Sequence, residues 1–313
     1  MNSLYRYAVY GLIVGSEESM ISMDVADGAE GDPDITITFT STSYFRPLAT
    51  GIPVDEWVTH ATLDDGSVYL KADKIFESIV SRDGRSVICA RLESIDRRTF
   101  EANLMNFVLG TALTLQGEEP LHATVVDLGG RAVGLFGPSG AGKSSLAAFL
   151  ISRGADLVTD DMLRLEFVDG RVQAYPGPYR LKLLDEAGRR YMPTAMADGH
   201  FNAVSEKVMV RPRPSGRARA GAVSLAALFY LGPLEGETEP DVASTRRLEG
   251  LELGKVIISS AMDFRYNSID RLTRQMTFAA RLSHSLPIHA LRYPRSFDVM
   301  GQVEAEILRT IGA

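Results

Sequence analysis

The chain of 313 residues is 45% hydrophobic and 23% charged, a globular composition that excludes disorder over most of its length. Its net charge of −7 argues against sequence-independent nucleic-acid binding, which needs a basic face, so we expect no nucleic-acid partner. The single cysteine, Cys89, cannot form an internal disulfide, and no apolar run approaches the roughly 20 residues that span a bilayer. We therefore expect a cytoplasmic protein without a membrane partner.

The first part of the chain is predicted to be rich in β-structure. A first strand is expected over Tyr5–Val14, and Asp34–Thr40 alternates apolar and polar residues with the period of two that a strand requires. Further predicted strands are Val68–Ala72, Phe76–Val80 and Ser86–Arg91, the last two joined through Asp83-Gly84. From Ser94 to Thr114 the apolar spacing becomes helical. We expect a β-rich N-terminal domain over residues 1–115, closing with a helix, and a second domain over residues 116–313.

Strands and helices alternate in the second half of the chain. Predicted elements are strands Leu121–Asp127 and Arg131–Phe136 joined by Gly129-Gly130, helix Lys143–Arg153, strand Asp156–Thr159, a hairpin of Leu163–Val168 and Arg171–Tyr175, strand Val223–Leu231, helix Asn267–Leu286 capped by Asn267 or Ser268, strand His289–Tyr293 and helix Phe297–Ile311. This alternation predicts an α/β fold for the second domain.

A phosphate-binding loop is the most specific motif in the sequence. Gly137-Pro-Ser-Gly-Ala-Gly-Lys-Ser144 matches G-x-x-x-x-G-K-[ST] in full, with an apolar strand before it and a helix after it. Backbone N–H groups and the helix N-terminus bind phosphate, Lys143 reaches the β- and γ-phosphates, and Ser144 offers its hydroxyl to Mg²⁺. The predicted loop contacts to the nucleotide are Gly137, Pro138, Ser139, Gly140, Ala141, Gly142, Lys143, Ser144 and Ser145.

Two adjacent acids, Asp160 and Asp161, follow the loop after one helix and one short strand. This spacing predicts that they end a strand beside the loop strand and face the γ-phosphate. One carboxylate can accept the proton of an attacking hydroxyl, and the other can hold the metal or orient the loop. Adjacent side chains on an extended backbone point to opposite sides, so we expect different roles. A polar strand end or a helix N-cap is the alternative interpretation.

His122 precedes the loop, and the hairpin through Gly129-Gly130 would fold it back alongside the loop strand. A lone histidine on a strand is more often structural than catalytic.

His122, the phosphate loop and Leu157-Val-Thr-Asp-Asp161 together resemble the catalytic domain of the HPr kinase/phosphorylase family. The resemblance covers the chain from about Pro120 and is closer to a divergent bacterial branch, which shares Tyr10-Gly-Leu12 and Arg292-Tyr-Pro-Arg295. That branch includes kinases that phosphorylate a serine of a lasso-peptide precursor. The resemblance implies a P-loop kinase domain with a mixed sheet of the HPr-kinase/PEP-carboxykinase-like type, preceded here by a β-rich N-terminal domain.

Roles for individual residues follow from the resemblance. It implies Asp160 as the base toward the acceptor hydroxyl, Asp161 near the metal or the loop, and His122 near the transferred phosphoryl group. It also implies that Lys143 acts on phosphate and Ser144 on Mg²⁺. The chain departs from HPr kinases at Pro138, where they commonly have an acid, and at Ser145, where they usually have Glu. These departures leave open HPr as the substrate, the reverse reaction and the homo-oligomeric state.

Two basic features are further candidates for phosphate contacts. Five basic residues occur without an acid among them: Lys207, Arg211, Arg213, Arg217 and Arg219. They form either a flexible arm that supplies charge to the phosphates, with Lys207 as the best candidate, or a solvated linker. Arg180 and Lys182 would share one face of a strand that either meets phosphate or is plain surface, and we include Arg180 among the nucleotide-binding residues.

We therefore predict an ATP-dependent kinase that uses Mg²⁺ and transfers the γ-phosphoryl group to a hydroxyl. The preferred acceptor is a serine of a peptide or small protein, with a lasso-peptide precursor as one candidate. The alternatives are a small-molecule hydroxyl kinase of the same fold and a nucleotide-binding regulatory module without phosphotransfer.

Overall fold

The computed structural model describes residues 4–25, 31–49, 52, 57–213, 221–234, 240–262 and 268–312. The chain divides into two compact units, Met1–Pro120 with Met262–Ser268 and Leu121–Ala261 with Ile269–Ala313. The sequence places its predicted boundary between residues 115 and 116, close to the end of the main segment of the first unit. In the described part of the chain, no helix has the length and apolarity needed to cross a membrane.

The first unit is built on a mixed sheet. Its strands, within the described residues, are β1 (Tyr5–Val9), β2 (Leu12–Ser16), β3 (Asp24–Val25), β4 (Ile35–Phe39), β5 (Val58–Thr62), β6 (Val68–Ala72), β7 (Phe76–Val80) and β8 (Ser86–Arg91). They are ordered β3-β1-β2-β4-β8-β7-β6-β5, with β4 parallel to both β2 and β8. The strands predicted around Asp34–Thr40 and after Val68 are confirmed as β4, β6, β7 and β8.

The prediction of one long strand over Tyr5–Val14 is wrong, because the chain reverses between β1 and β2. Tyr10 and Gly11 both have positive φ, 54° and 73°, which is the geometry of a tight hairpin turn. Glycine adopts this conformation readily, whereas tyrosine rarely does. The Tyr10 side chain is fully buried, so its packing holds the turn in place.

The helices of the first unit include the predicted closing segment. They are α1 (Arg46–Ala49), which follows a 3₁₀ turn at Thr42–Phe45, α2 (Arg97–Asn103), a π-helical segment at Leu104–Val108, and α3 (Leu109–Leu115). Asp96 caps α2 by accepting a hydrogen bond from the Thr99 N–H at 2.9 Å. The helix predicted over Ser94–Thr114 is therefore confirmed, with a π-helical segment in its middle.

The second unit carries the phosphate loop. Its described strands are β9 (Ala123–Asp127), β10 (Ala132–Phe136), β11 (Asp156–Thr159), β12 (Leu165–Val168), β13 (Arg171–Ala174), β14 (Leu181–Leu183), β15 (His200–Asn202), β16 (Lys207–Val210), β17 (Val223–Tyr230), β18 (Ser244–Arg247) and β19 (Ile288–Arg292). Its described helices are α4 (Lys143–Ser152), α5 (Asp185–Tyr191), α6 (Pro193–Ala197), α7 (Gly250–Ser259), α8 (Ile269–Ser285) and α9 (Met300–Ile311), the last preceded by a 3₁₀ turn at Phe297–Val299.

The main sheet of this unit is mixed and has the order β11-β9-β10-β17-β13-β12, while β19 pairs with β17 and β18. Strand β10 is antiparallel to β9 and parallel to β17. Apolar side chains of α7 and α8 pack in the cluster on one side of the sheet, and those of α4 and α9 pack in a second cluster on the other. The predicted α/β class, with a mixed sheet bearing the loop and a β-rich N-terminal unit, is confirmed.

A small antiparallel sheet of β14, β16 and β15 accompanies the main sheet. Lys207 is the first residue of β16, so the prediction of a flexible arm or a solvated linker is wrong at this position. Pairing with β14 and β15 supplies the backbone partners that a linker would lack. Arg217 and Arg219, and the proposed cap Asn267, lie outside the described residues.

Candidate active site

The phosphate loop connects the end of β10 to the first turn of α4, as its motif predicts. Gly142 immediately precedes α4 with φ 92°, a conformation that favours glycine. A Cβ atom at Gly142 would also lie 3.2 Å from the Arg295 guanidinium and from the Tyr293 hydroxyl. The last glycine of the motif is therefore favoured by its backbone conformation, and a Cβ atom there would press on two neighbouring side chains.

Lys143 is folded back over the loop. Its ammonium donates hydrogen bonds to the carbonyls of Gly137 at 2.8 Å and Pro138 at 3.0 Å, and the residue is buried. Burial lowers the pKa of Lys143 to about 8, and the negative charges of Asp160 and Asp161 oppose that shift. The ammonium is therefore within electrostatic reach of both acids while it is held by carbonyls of the loop.

Asp160 is buried at the end of β11, with each carboxylate oxygen accepting one hydrogen bond. Oδ1 accepts from the Thr124 hydroxyl at 2.7 Å, and Oδ2 accepts from the backbone N–H of Lys182 at 3.0 Å. Burial and the neighbouring charge of Asp161 raise the pKa of Asp160 to about 6. A carboxylate that titrates near neutral pH can accept a proton from a hydroxyl more readily than an ordinary aspartate.

Two premises of the sequence argument about this pair are wrong. Strand β11 pairs with β9 and not with the loop strand β10, because β9 and β17 already occupy the two edges of β10. The backbone at Asp161 is also not extended, since its φ is 69° and the Met162 N–H donates to the Asp160 carbonyl at 2.9 Å. The backbone therefore forms a γ-turn of the rare, strained type around Asp161. This turn directs the Asp161 carboxylate to the Lys182 ammonium, 2.7 Å away.

His122 lies against the same turn. Its Nδ1 is 2.8 Å from the Asp161 carbonyl oxygen, and because a carbonyl only accepts, Nδ1 carries the proton and donates it. Burial, followed by the nearby charge of Lys143, lowers the pKa of His122. The imidazole is therefore neutral at physiological pH, with Nε2 as its basic nitrogen.

The other predicted nucleotide contacts occupy different surroundings. Pro138, Ser139 and Gly140 are exposed at the tip of the loop, whereas Ser144 and Ser145 are half-buried in the first turn of α4. Lys207 is close enough for its charge to lower the pKa of Lys143, although burial of Lys143 is the larger cause. Arg180 is half-buried just before β14, and its contact with nucleotide stays a prediction.

Three residues of the site were not assigned to it from the sequence, although Lys182 was weighed there as a phosphate contact or plain surface. Thr124 and Lys182 contact the acid pair, and Arg295 donates to the carbonyls of Ala141 in the loop and, at 3.0 Å, of Leu231. Thr124 could have been found from its spacing of two from His122, which places both on one face of a strand. The partners of Lys182 and Arg295 are distant in sequence, so no local pattern indicates them.

The fold and this site define an α/β protein that carries a phosphate-loop motif with an acid pair next to it. No protein-family model matches the chain. Over 93 residues, 30% of this chain, the sequence is 33% identical to an HPr kinase/phosphorylase of Clostridium beijerinckii and 31% identical to those of two Clostridium botulinum strains. The match spans 31% of the length of these curated relatives.

The Hpr(Ser) kinase/phosphatase from Coxiella burnetii is a solved structure with similarity to this chain. It has a TM-score of 0.33 and 12% sequence identity, over 61% of this chain and 95% of that one. The sequence matches support the relationship that the motifs predict: the chain is related to the HPr kinase/phosphorylase family.

Proposed function

We propose that this protein is an ATP-dependent kinase that transfers the γ-phosphoryl group to the hydroxyl of a serine in a peptide or small protein. The observation that carries the proposal is the buried Asp160 carboxylate, oriented by two hydrogen bonds and within electrostatic reach of Lys143. The name of the clostridial relatives supports the reaction class. On the family resemblance, lasso-peptide precursors are the candidate acceptors.

The proposed reaction is an in-line displacement at the γ-phosphorus. The acceptor oxygen forms a bond to phosphorus as the bond from phosphorus to the β,γ-bridging oxygen breaks, and ADP leaves with that electron pair. The proton of the acceptor hydroxyl passes to the Asp160 carboxylate. Lys143 exchanges its hydrogen bonds to the loop carbonyls for phosphate oxygens, since both are acceptors for the same ammonium.

The donor atoms near the loop fit a magnesium ion. Ser144 and Asp161 supply hydroxyl and carboxylate oxygens, the hard donors that Mg²⁺ prefers alongside nucleotide phosphates. The Asp161 carboxylate is already paired with the Lys182 ammonium at 2.7 Å, so a bound Mg²⁺ would share this carboxylate with Lys182. When bound, Mg²⁺ offsets the negative charge of the β- and γ-phosphates. His122, whose lowered pKa keeps it neutral, adds no net charge beside the transferred group. The positive charge near the phosphates therefore comes from Lys143 and the metal ion.

The test is phosphoryl transfer from Mg-ATP to serine-containing candidate peptides, followed by mass spectrometry. Asp160→Asn preserves the shape of the side chain and removes its basicity, so turnover should fall by at least ~10²-fold while ATP still binds. Asp169→Asn is the matched control, because it makes the same change at an exposed hairpin turn of the same unit and should leave turnover unchanged. Full activity of Asp160→Asn would contradict the assignment of the base, and ATP binding without transfer to any hydroxyl would favour a regulatory module.

A further inference from the structure

We propose that Lys182 is a positioning residue that holds both acids of the site, Asp160 through its main chain and Asp161 through its side chain. Its backbone N–H lies 3.0 Å from Asp160 Oδ2, and its ammonium lies 2.7 Å from Asp161 Oδ2. The inference rests on the proposed function, because it assigns a task to Lys182 in the same phosphoryl transfer.

The small sheet explains how one residue can reach both acids. Lys182 is the central residue of β14 and is paired in register with Met209 of β16. Because its N–H is directed to Asp160, the Lys182–Met209 pair is a position of the antiparallel ladder that exchanges no backbone hydrogen bonds. The strand therefore presents a free main-chain donor at this point, and pairing of its neighbours with β16 fixes where that donor lies.

The burial of Lys182 argues that its ammonium has a specific task. The side chain is 8% exposed, although lysine is rarely buried unless it is paired. Leu181 and Leu183 point to the opposite face of β14 and belong to the apolar core, so the face that carries Lys182 is the one turned to the acids. A buried cation contributes little net stability compared with an apolar residue, which makes orientation of its partner the better explanation.

The strained turn at Asp161 supplies the reason why a partner is needed. Because Asp161 has a φ of 69°, the regular alternation of a strand does not set the direction of its side chain. That side chain is only 13% exposed, so its carboxylate is largely shielded from water. The Lys182 ammonium compensates this carboxylate and fixes its direction. The Asp160 carbonyl accepts the hydrogen bond that closes this turn. A shift of Asp161 therefore also shifts Asp160, the proposed base.

The kinetic test replaces Lys182 by methionine, which removes the ammonium and keeps the backbone N–H. We expect kcat for phosphoryl transfer to fall at least about tenfold, because misplaced reacting groups are costly, while the Kd for ATP measured without Mg²⁺ changes less than about threefold. Lys182→Arg should recover part of the loss by restoring the charge. Lys255→Met on the exposed side of α7 is the matched control and should behave as wild type.

A stability cycle tests the ion pair separately from catalysis. Lys182→Met should lower Tm, because it leaves the Asp161 carboxylate uncompensated, and adding Asp161→Asn to it should restore at least half of that loss. Additive effects on Tm would contradict the ion pair. A wild-type kcat for folded Lys182→Met would overturn the positioning role. An equal loss of kcat and of affinity for ATP without Mg²⁺ would also overturn it, because Lys182 would then be a direct nucleotide ligand. If wild type binds ATP but transfers nothing, the proposed function fails, and the stability cycle alone decides whether the ion pair exists.

Discussion

The hydrogen bond from Thr124 to Asp160 offers the most direct test of how the proposed base is held. Thr124 is fully buried in β9, and its hydroxyl is 2.7 Å from Asp160 Oδ1. Thr124→Val replaces the hydroxyl by a methyl group of similar size, so the change removes a donor without opening a cavity. Asp160 then keeps one hydrogen bond, from the Lys182 N–H.

The expected size follows from the chemistry of this bond. A hydrogen bond to a charged group contributes about 1.5–3 kcal/mol, and its loss leaves a buried carboxylate oxygen without a partner. If the bond orients the base, kcat should fall roughly 10- to 150-fold, since each 1.36 kcal/mol corresponds to about a factor of ten. If the lost hydrogen bond lowers the free energy of unfolding by about 2 kcal/mol, Tm of the second unit should fall by roughly 4–8 °C.

Steady-state phosphoryl transfer and thermal unfolding measure the two effects independently. Thr245→Val is the control, because the Thr245 hydroxyl also donates to a carboxylate, Glu306 Oε1 at 2.7 Å, but lies on β18. It should lower Tm without changing kcat. A folded Thr124→Val enzyme with kcat within about twofold of wild type would refute the reasoning, because the base would then not depend on this donor.

Two further predictions concern nucleotide binding and pH. Mg-ATP at about 100 times its Kd should stabilise wild type by about 2.7 kcal/mol, and Lys143→Ala should lose most of that gain, so an unchanged ligand-induced shift in Tm would show that the loop is not the nucleotide site. Hydrogen bonds from Arg309, followed by those from Thr245, lower the pKa of Glu306 from 4.5 to about 2, so its contribution to stability is complete above pH 4.5 and is lost as the pH falls toward 2. Glu306→Gln should therefore unfold more easily than wild type at pH 7, and urea titrations should show this difference shrinking below pH 4.5; a difference that does not depend on pH would contradict the assignment.

Local patterns in the sequence predicted the local features of the structure. The alternation in β4 and the phosphate-loop motif depend on neighbouring residues, so a short stretch of sequence is sufficient to recognise them. The position of β11 depends on which edges of β10 are already occupied, and this is decided by distant strands. The positive φ of Tyr10 and Asp161 likewise depends on burial and partners that lie elsewhere in the chain.

In the candidate site, too, residues with a local sequence pattern were predicted, and residues that depend on distant partners were not. Asp160 and His122 were found because each has a recognisable spacing from the loop, and the structure brings both to one turn. Lys182 was seen only as one residue of an alternating strand. It is buried against Asp161 and is not plain surface, whereas its contact with phosphate stays a prediction. A lysine that pairs with an acid from another element has no sequence pattern that distinguishes it from an exposed one.

The contact between Arg295 and the phosphate loop has a consequence for the order in which the protein becomes functional during its synthesis. Arg295 and Ala141 are separated by 154 positions, and at about 5–20 residues per second a ribosome needs roughly 8 to 30 s to make that stretch. During this interval the loop sequence exists without the guanidinium that bonds the Ala141 carbonyl. On the proposed function, a nascent chain that ends before Arg295 should therefore hold ATP more weakly than the finished protein.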